Sequence, residues 1–163
     1  MDANGSFNES TAQDLQLIPK DVAIEQPTDD IELLKDLIDS LPQQILIDES
    51  VRSLADLYQF KDLGVGVMLK PVCLGGPRET LTLINACHDL GIPCGISGYL
   101  DSGVGRYFQW VLAQHPKCLL RADFVWSDYY YQDDVFHVHS MLDPMVDLVA
   151  NIDSFKVDSQ RFR

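Results

Sequence analysis

Four side chains able to do acid–base or metal chemistry recur at a nearly constant interval along the chain. Asp2, Glu25, Asp48 and Lys70 are separated by 23, 23 and 22 residues, and the last three each end or follow a short apolar stretch. Three carboxylates brought together repel one another unless a cation lies between them, and oxygen ligands of this kind suit Mg²⁺. A lysine beside such a cation, in a dry pocket, can have its charged form disfavoured and serve as an acid or base.

Each acid taken singly has an ordinary explanation, because Asp and Glu after a strand often cap the helix that follows. That explanation weakens for the series as a whole. Glu is a poor N-cap, and Lys70 ends an apolar strand although lysine is rarely buried without a partner. We therefore favour a shared site at the strand ends over independent helix caps.

Alternating apolar strands and amphipathic helices would carry these residues. The pattern predicts strands over 21–25, 45–48, 65–70 and 93–99, helices over 29–41, 50–60, 78–90 and 103–114, and a possible strand over 119–125. Thr28 or Asp29 could cap the first helix, and Gly91 the end of the third. The alternation indicates a parallel sheet covered by helices, either an open doubly wound sheet or a (β/α) barrel, whose carboxyl strand ends share one face.

Composition narrows the classes of function. The formal net charge is −13, with 12 scattered basic residues, so a nucleic-acid partner is not expected. No apolar run approaches the roughly 20 residues of a membrane span, and no secretory leader opens the chain. The four cysteines include no C-x-x-C pair, so we expect reduced, mostly buried thiols in a cytoplasmic protein. An open-sheet nucleotide or flavin binder is disfavoured because no Gly-rich first turn is present.

Six stretches together resemble one family. MDANGSF, AIEQP, LIDES and VMLKP resemble the metal-binding and lysine strands of the enolase superfamily barrel, in its muconate-lactonizing branch. CGISGYLDSGVGR resembles the seventh-strand motif of the o-succinylbenzoate synthase and N-acylamino-acid racemase group, and residues 120–134 resemble its eighth-strand loop. The resemblance implies an α/β fold: about strands 3 to 8 of a TIM-type barrel over residues 1–135, without the N-terminal capping domain, and a C-terminal tail over 136–163.

The resemblance also implies a chemistry. Members abstract a proton next to a carboxylate of a small substrate, and in o-succinylbenzoate synthase, an enzyme of menaquinone biosynthesis, the enediolate then loses water. A lyase of this type is the first expectation; a racemase, or a non-catalytic remnant or assembly subunit, is the alternative. By matching motif, Mg²⁺ (or Mn²⁺ as a substitute) is held by Asp2, Glu25 and Asp48, Lys70 is the catalytic lysine of the sixth strand, and Asn4 and Gly98 contact ligand or substrate.

The chain departs from the family pattern in three places. Its six lysines form no Lys-x-Lys, the second-strand motif that supplies the base. We therefore expect little activity from this chain alone, and expect a separate N-terminal half or self-association to cover the open sheet edges. Asp101 stands where the family usually has Glu, and Val72 and Cys73 follow Lys-Pro where the group often has Gly-Arg. His137 and His139 form a His-x-His that we expect to be structural.

Overall fold

A computed structural model describes residues 1–125 and 130–132 of the 163-residue chain. Strands and helices alternate along the chain after a short 3-10 helix at Ala12–Leu17. The strands are β1 (Ile24–Glu25), β2 (Ile45–Ile47), β3 (Gly66–Leu69) and β4 (Cys94–Ile96), and the helices are α1 (Ile31–Ser40), α2 (Leu54–Phe60), α3 (Pro77–Leu90) and α4 (Gly103–Ala113). The prediction of alternating strands and helices is thus confirmed, although the strands are shorter than expected.

The four strands form one parallel sheet in chain order, β1-β2-β3-β4. Asp2 extends it beyond β1 through a parallel bridge with Glu25. On the other side Ser97 bridges Asp123. Because all strands point the same way, the residues that follow them lie along a single edge of the sheet.

The possible strand over 119–125 does not form as a continuous element. The backbone N–H groups of Leu119 and Leu120 both donate to the carbonyl oxygen of Cys94, at 2.9 and 3.0 Å. Two successive residues therefore oppose one, as in a β-bulge, and the ladder is interrupted. Pairing resumes only where the N–H of Asp123 donates to the carbonyl of Ile96 at 2.9 Å.

Local signals set the ends of the helices. Helix α1 is capped by Asp30, whose side chain accepts from the N–H groups of Glu32 and Leu33, so the expected cap at Thr28 or Asp29 is wrong by one or two residues. Helix α3 ends at Gly91 as predicted, and this residue has φ 71°. A glycine tolerates this left-handed conformation without the steric cost that a side chain brings.

The core lies where helices cover the sheet. All four residues of β3 are buried, as expected for a strand packed on both faces. The most deeply buried aliphatic side chains come from strands and helices alike, and include Ile24, Leu34, Ile47, Leu57, Leu69, Ile84 and Ile96. All four cysteines are free thiols; Cys87 and Cys94 are buried, Cys118 is half-buried and Cys73 is exposed. Among the described residues no helix is long and apolar enough to cross a membrane.

Candidate active site

Lys70 and Asp48 form an ion pair at the carboxyl edge of the sheet. Lys70 Nζ lies 2.9 Å from Asp48 Oδ2 and 3.1 Å from Glu49 Oε1. Ser97, which follows β4, donates its hydroxyl to the same Asp48 Oδ2 at 3.1 Å. The side chain of Asp48 is 4% exposed and that of Lys70 is 13% exposed. Residues from the ends of β2, β3 and β4 thus meet at one carboxylate oxygen.

The two carboxylates keep Lys70 protonated. Burial by itself would lower the pKa of Lys70, but its hydrogen bond to Asp48 and the negative charges of Asp48 and Glu49 outweigh burial, so this pKa lies above its ordinary value. Without a bound cation the charged form of Lys70 is therefore favoured, and the expectation that a cation beside it disfavours this form stays a prediction. The chemical role open to the group is that of a hydrogen-bond donor or an acid.

Glu25 and Asp48 are crowded by other acids. Burial is the main cause that raises the pKa of Glu25 to about 8, and the carboxyl groups of Asp48, Asp2 and Asp123 add to it. Burial also raises the pKa of Asp48, although Lys70 opposes this. Acidic groups gathered in this way either retain a proton or require a cation.

The donors fit a divalent cation in type, but the side chains are not closed around one point. Asp48 Oδ1 is buried and accepts no hydrogen bond from an N–H or hydroxyl group of the described residues. The carboxyl group of Glu25, when protonated, can hydrogen-bond to Asp48, and a cation would take the place of that shared proton. Asp2 is exposed, and its Oδ1 accepts a hydrogen bond from the N–H of Asn4 at 3.0 Å. Within residues 1–125 and 130–132, no three His, Cys, Asp or Glu side chains are grouped so as to hold a metal ion.

A cavity of about 260 Å³ opens over the ion pair. Arg52, Cys73 and Tyr99 line it together with Asp48, Glu49, Val51 and Lys70. Because Cys73 lines this cavity, one of the positions that depart from the family pattern faces the site directly. Arg52 brings a second basic group to the same cavity.

Two predicted contact residues lie elsewhere. Asn4 lines a second cavity, of about 470 Å³, which shares Glu49 and Arg52 with the first. Gly98 lines neither cavity. A Cβ atom at Gly98 would collide with Arg106 Nη1 and lie 2.6 Å from Phe124 Cβ, so the absence of a side chain there is required by packing.

Asp101 belongs to a network around a buried arginine. Arg106 is 1% exposed, and its guanidinium donates to the Tyr99 carbonyl oxygen at 2.6 Å, to Gln109 and to the Tyr130 hydroxyl. Asp101 accepts from the side chain of Gln109 through the same oxygen that accepts from the N–H of Tyr99. The shortened acid thus supports the loop after β4, and this loop places Tyr99 on the cavity.

Sequence reasoning missed three residues of the site. Glu49 and Ser97 bind the Lys70–Asp48 pair, and Gln26 donates and accepts hydrogen bonds around Asp48. Gln26 and Ser97 directly follow strands and Glu49 follows Asp48, so the position that revealed Asp48 and Lys70 could also have revealed them. The His-x-His at His137 and His139, the acidic loop residues beyond Val125, and the tail over 136–163 lie outside the described residues.

Comparisons with known proteins agree with this architecture. The family described as "Enolase C-terminal domain-like" matches residues 1–149. An o-succinylbenzoate synthase from Geobacillus kaustophilus is 30% identical over 140 residues, which are 82% of this chain and 37% of that protein. An N-succinylamino acid racemase from Amycolatopsis sp is 31% identical over 117 residues, 69% of this chain and 32% of that protein. The chain therefore spans about a third of the length of these relatives.

Solved structures give the same result. A member of the enolase superfamily from Enterococcus faecalis V583 superposes with a TM-score of 0.73 at 28% identity, over 83% of this chain and 38% of that one. An N-succinyl Arg/Lys racemase from Bacillus cereus has a TM-score of 0.74, and at 22% identity it supports the fold alone. The expectations of an α/β barrel-type fold and of resemblance to the synthase and racemase group are confirmed: this chain belongs to the enolase C-terminal domain-like family.

Proposed function

We propose that this chain carries part of the active site of a Mg²⁺-dependent lyase of the o-succinylbenzoate synthase type. The observation that carries the proposal is the meeting of Glu25, Asp48 and Lys70 at one edge of the sheet, in a chain whose relatives include such synthases. The substrate would be a small carboxylate, from which a proton next to the carboxylate is removed. A place in menaquinone biosynthesis and a cytoplasmic location, which the resemblance in sequence implied, are further parts of this proposal.

Each residue has a separate role in this proposal. Asp2, Glu25 and Asp48 would hold Mg²⁺ (or Mn²⁺), which when bound supplies positive charge against the negative charge that develops on the substrate carboxylate. Lys70, kept protonated by Asp48 and Glu49, would donate a hydrogen bond to the developing enediolate. Glu49 and Ser97 fix the direction of the ammonium group and of the carboxylate that it contacts.

The base is not among the residues of this chain that we assign. In the family pattern it is a lysine of the Lys-x-Lys motif, which this sequence lacks. A segment outside these 163 residues would have to contribute that group. The proposal therefore predicts that activity depends on complementation.

Racemisation of an N-acylamino acid is the second candidate. Racemases such as that of Amycolatopsis are as similar to this chain as the synthases are. In this reaction a proton must be returned to the opposite face of the substrate. The protonated Lys70 beside the cavity is suited to give it.

Complementation tests the proposal. Formation of o-succinylbenzoate with Mg²⁺ is measured for this chain alone and for a mixture with an N-terminal segment that supplies the capping domain and a Lys-x-Lys strand. We expect turnover only in the mixture. We expect Lys70→Met to lower the rate by about a hundredfold or more, the range for removal of an acid–base or electrostatic group.

Lys61→Met is the matched control, because Lys61 is 47% exposed and lies 4.0 Å from Asp62 on the surface. The mixture of the Lys61→Met chain with the N-terminal segment should form product at the same rate as the mixture that contains the unaltered chain. Rapid turnover by the chain alone would contradict the complementation requirement. Folded protein that is inactive in the mixture, but racemises an N-acylamino acid there, would replace the lyase by the racemase.

A further inference from the structure

Gln26 is the most fully hydrogen-bonded buried side chain near the site. It directly follows Glu25, is 0% exposed and has φ 39°. Residues other than glycine rarely adopt this left-handed conformation, and surrounding contacts must hold them there. Such outliers are concentrated at functional sites.

The main chain of Gln26 joins three segments. Its N–H donates to the carbonyl oxygen of Leu46 on β2 at 2.8 Å. Its carbonyl oxygen accepts from the N–H of Gly5 at 2.7 Å, in the turn that follows Asp2. One residue thus connects the end of β1 with the segments that carry Asp2 and Asp48.

The side-chain amide of Gln26 also connects the end of β1 with the segment that carries Asp48. Gln26 Oε1 accepts from the N–H of Asp48 at 3.0 Å. Gln26 Nε2 lies 3.1 Å from the carbonyl oxygen of Thr28, 2.9 Å from Asp29 Oδ1 and 2.6 Å from Ser50 Oγ, so its two N–H groups are shared among three acceptors. The amide therefore holds the backbone of Asp48 from one side, and the loop that follows Glu25 from the other.

We propose that Gln26 is a positioning residue that fixes the relative placement of Asp2, Glu25 and Asp48, and thereby sets the affinity of their site for a divalent cation. The three carboxylates repel one another, so a rigid frame is needed to hold the segments that carry them along the same edge of the sheet. Groups that orient metal ligands affect affinity strongly even when they do not touch the metal. This inference rests on the proposed function, because it takes the three carboxylates as the ligands.

A buried glutamine could also serve packing alone, and the chain contains a matched residue for comparison. Gln43 is 6% exposed and lies just before β2, at the opposite end of that strand from Asp48. Its Nε2 donates to the carbonyl oxygen of Ile18 at 2.7 Å. Replacing either glutamine by methionine removes a buried amide and keeps a side chain of similar length.

The experiment measures Mn²⁺ binding and urea unfolding for the full 163-residue chain. Free Mn²⁺ is counted by its electron paramagnetic resonance signal, which gives Kd without any need for activity. We expect Gln26→Met to raise Kd about tenfold or more, as for outer ligand-orienting groups. We expect Gln43→Met to lower the urea midpoint and to leave Kd within about twofold, since it lies away from the carboxylates.

The outcomes separate the inference from the proposed function. Absence of Mn²⁺ binding by the unaltered chain overturns the assigned metal role, and the inference with it. Binding by the unaltered chain that Gln26→Met leaves unchanged, or that both variants weaken equally, overturns the inference alone. Should Gln26→Met fail to fold, Ser50→Ala removes one hydrogen-bond partner of Gln26; we expect about a threefold higher Kd, and an unchanged Kd would again overturn the inference.

Discussion

At the scale of single residues, the two carboxylate oxygens of Asp48 have different surroundings. Oδ2 is shared by Lys70 and Ser97, whereas Oδ1 is buried and accepts no hydrogen bond from an N–H or hydroxyl group within the described part of the chain. A buried charge costs several kcal/mol unless it is paired, so the contact with Lys70 is what permits Asp48 to be ionised here. The other oxygen is left to act on a ligand.

The raised pKa of Glu25 predicts how the stability of the metal-free chain depends on pH. The pKa lies at about 8 in the folded chain, against an ordinary value of 4.5. Between these values the folded state binds more protons than the unfolded state, so the free energy of unfolding falls as pH rises. Urea unfolding in a chelator across this range should show the decline, and Glu25→Gln should reduce it.

The control for this prediction is Glu32→Gln. The side chain of Glu32 is 78% exposed and forms a surface ion pair with Lys35 on α1. The Glu32→Gln variant should show the same decline in the free energy of unfolding with pH as the unaltered chain. A decline of equal slope in Glu25→Gln would mean that Glu25 is not the group responsible.

The positions of these residues could be predicted from the sequence, whereas their protonation could not. Spacing and strand ends located Glu25, Asp48 and Lys70, because one strand–helix unit has a nearly fixed length. The direction of the pKa of Lys70 depends mainly on its contact with Asp48, and then on Glu49 Oε1, which lies 3.1 Å from Nζ. That distance arises from the path of the chain after β2, which no spacing rule describes.

At the scale of secondary-structure elements, the start of α2 shows why helix boundaries were predicted less well than helices. The periodic apolar residues extend back to Val51, but Ser53 is the N-cap and the helix begins at Leu54. Ser53 Oγ accepts from the N–H of Asp56 at 3.4 Å, and Asp56 Oδ2 in turn accepts from Ser53 Oγ at 2.9 Å. These reciprocal hydrogen bonds fix the start of the helix at Leu54, later than the periodic apolar residues indicated.

We predict that Ser53→Ala lowers the free energy of unfolding by about 1 kcal/mol, the usual loss for an N-cap. The matched control is Ser40→Ala at the end of α1, where an exposed serine donates to the carbonyl of Asp36; its effect should stay within about 0.5 kcal/mol. Urea denaturation at neutral pH measures both. Equal effects would show that Ser53 does not cap α2.

The same helix start gives a dependence on acid pH. Hydrogen bonds from the N–H of Arg52 and from Ser53 hold the pKa of Asp56 below its ordinary value. The stabilising contribution is therefore present above the unfolded pKa, and is lost as pH falls through the folded one. Asp56→Asn should be less stable than the unaltered chain at neutral pH and should approach it in acid.

Gly91 provides a test at the C-terminal end of a helix, α3. It has φ 71°, and a Cβ atom placed there would meet no atom within 4 Å, so only the backbone conformation opposes a side chain. Gly91→Ala should lower the free energy of unfolding by about 1 kcal/mol, and Gly91→Asn by less, because Asn tolerates the left-handed region better than Ala. Thermal or urea unfolding of the two variants decides the order, and an order reversed from this would contradict the C-cap assignment.

At the scale of the whole molecule, the chain combines a net charge of −13 with a local cluster of acids. General self-repulsion and a specific cation site both predict stabilisation by added salt. Only the specific site distinguishes a divalent cation from a monovalent one at the same ionic strength. Screening depends on ionic strength alone, whereas binding stabilises according to the concentration of the cation relative to its Kd. Comparing Mg²⁺ with Na⁺ at equal ionic strength therefore separates the two.

We predict that about 5 mM MgCl₂ raises the melting temperature of the chain more than about 15 mM NaCl, which has the same ionic strength. The excess should vanish in Asp48→Asn, which removes charge at the buried Oδ1. Asp36→Asn, on the exposed face of α1, removes the same charge and should keep the excess. An equal gain from both salts, or an excess that persists in Asp48→Asn, would mean that Mg²⁺ acts on this molecule only through screening or through sites other than the strand ends.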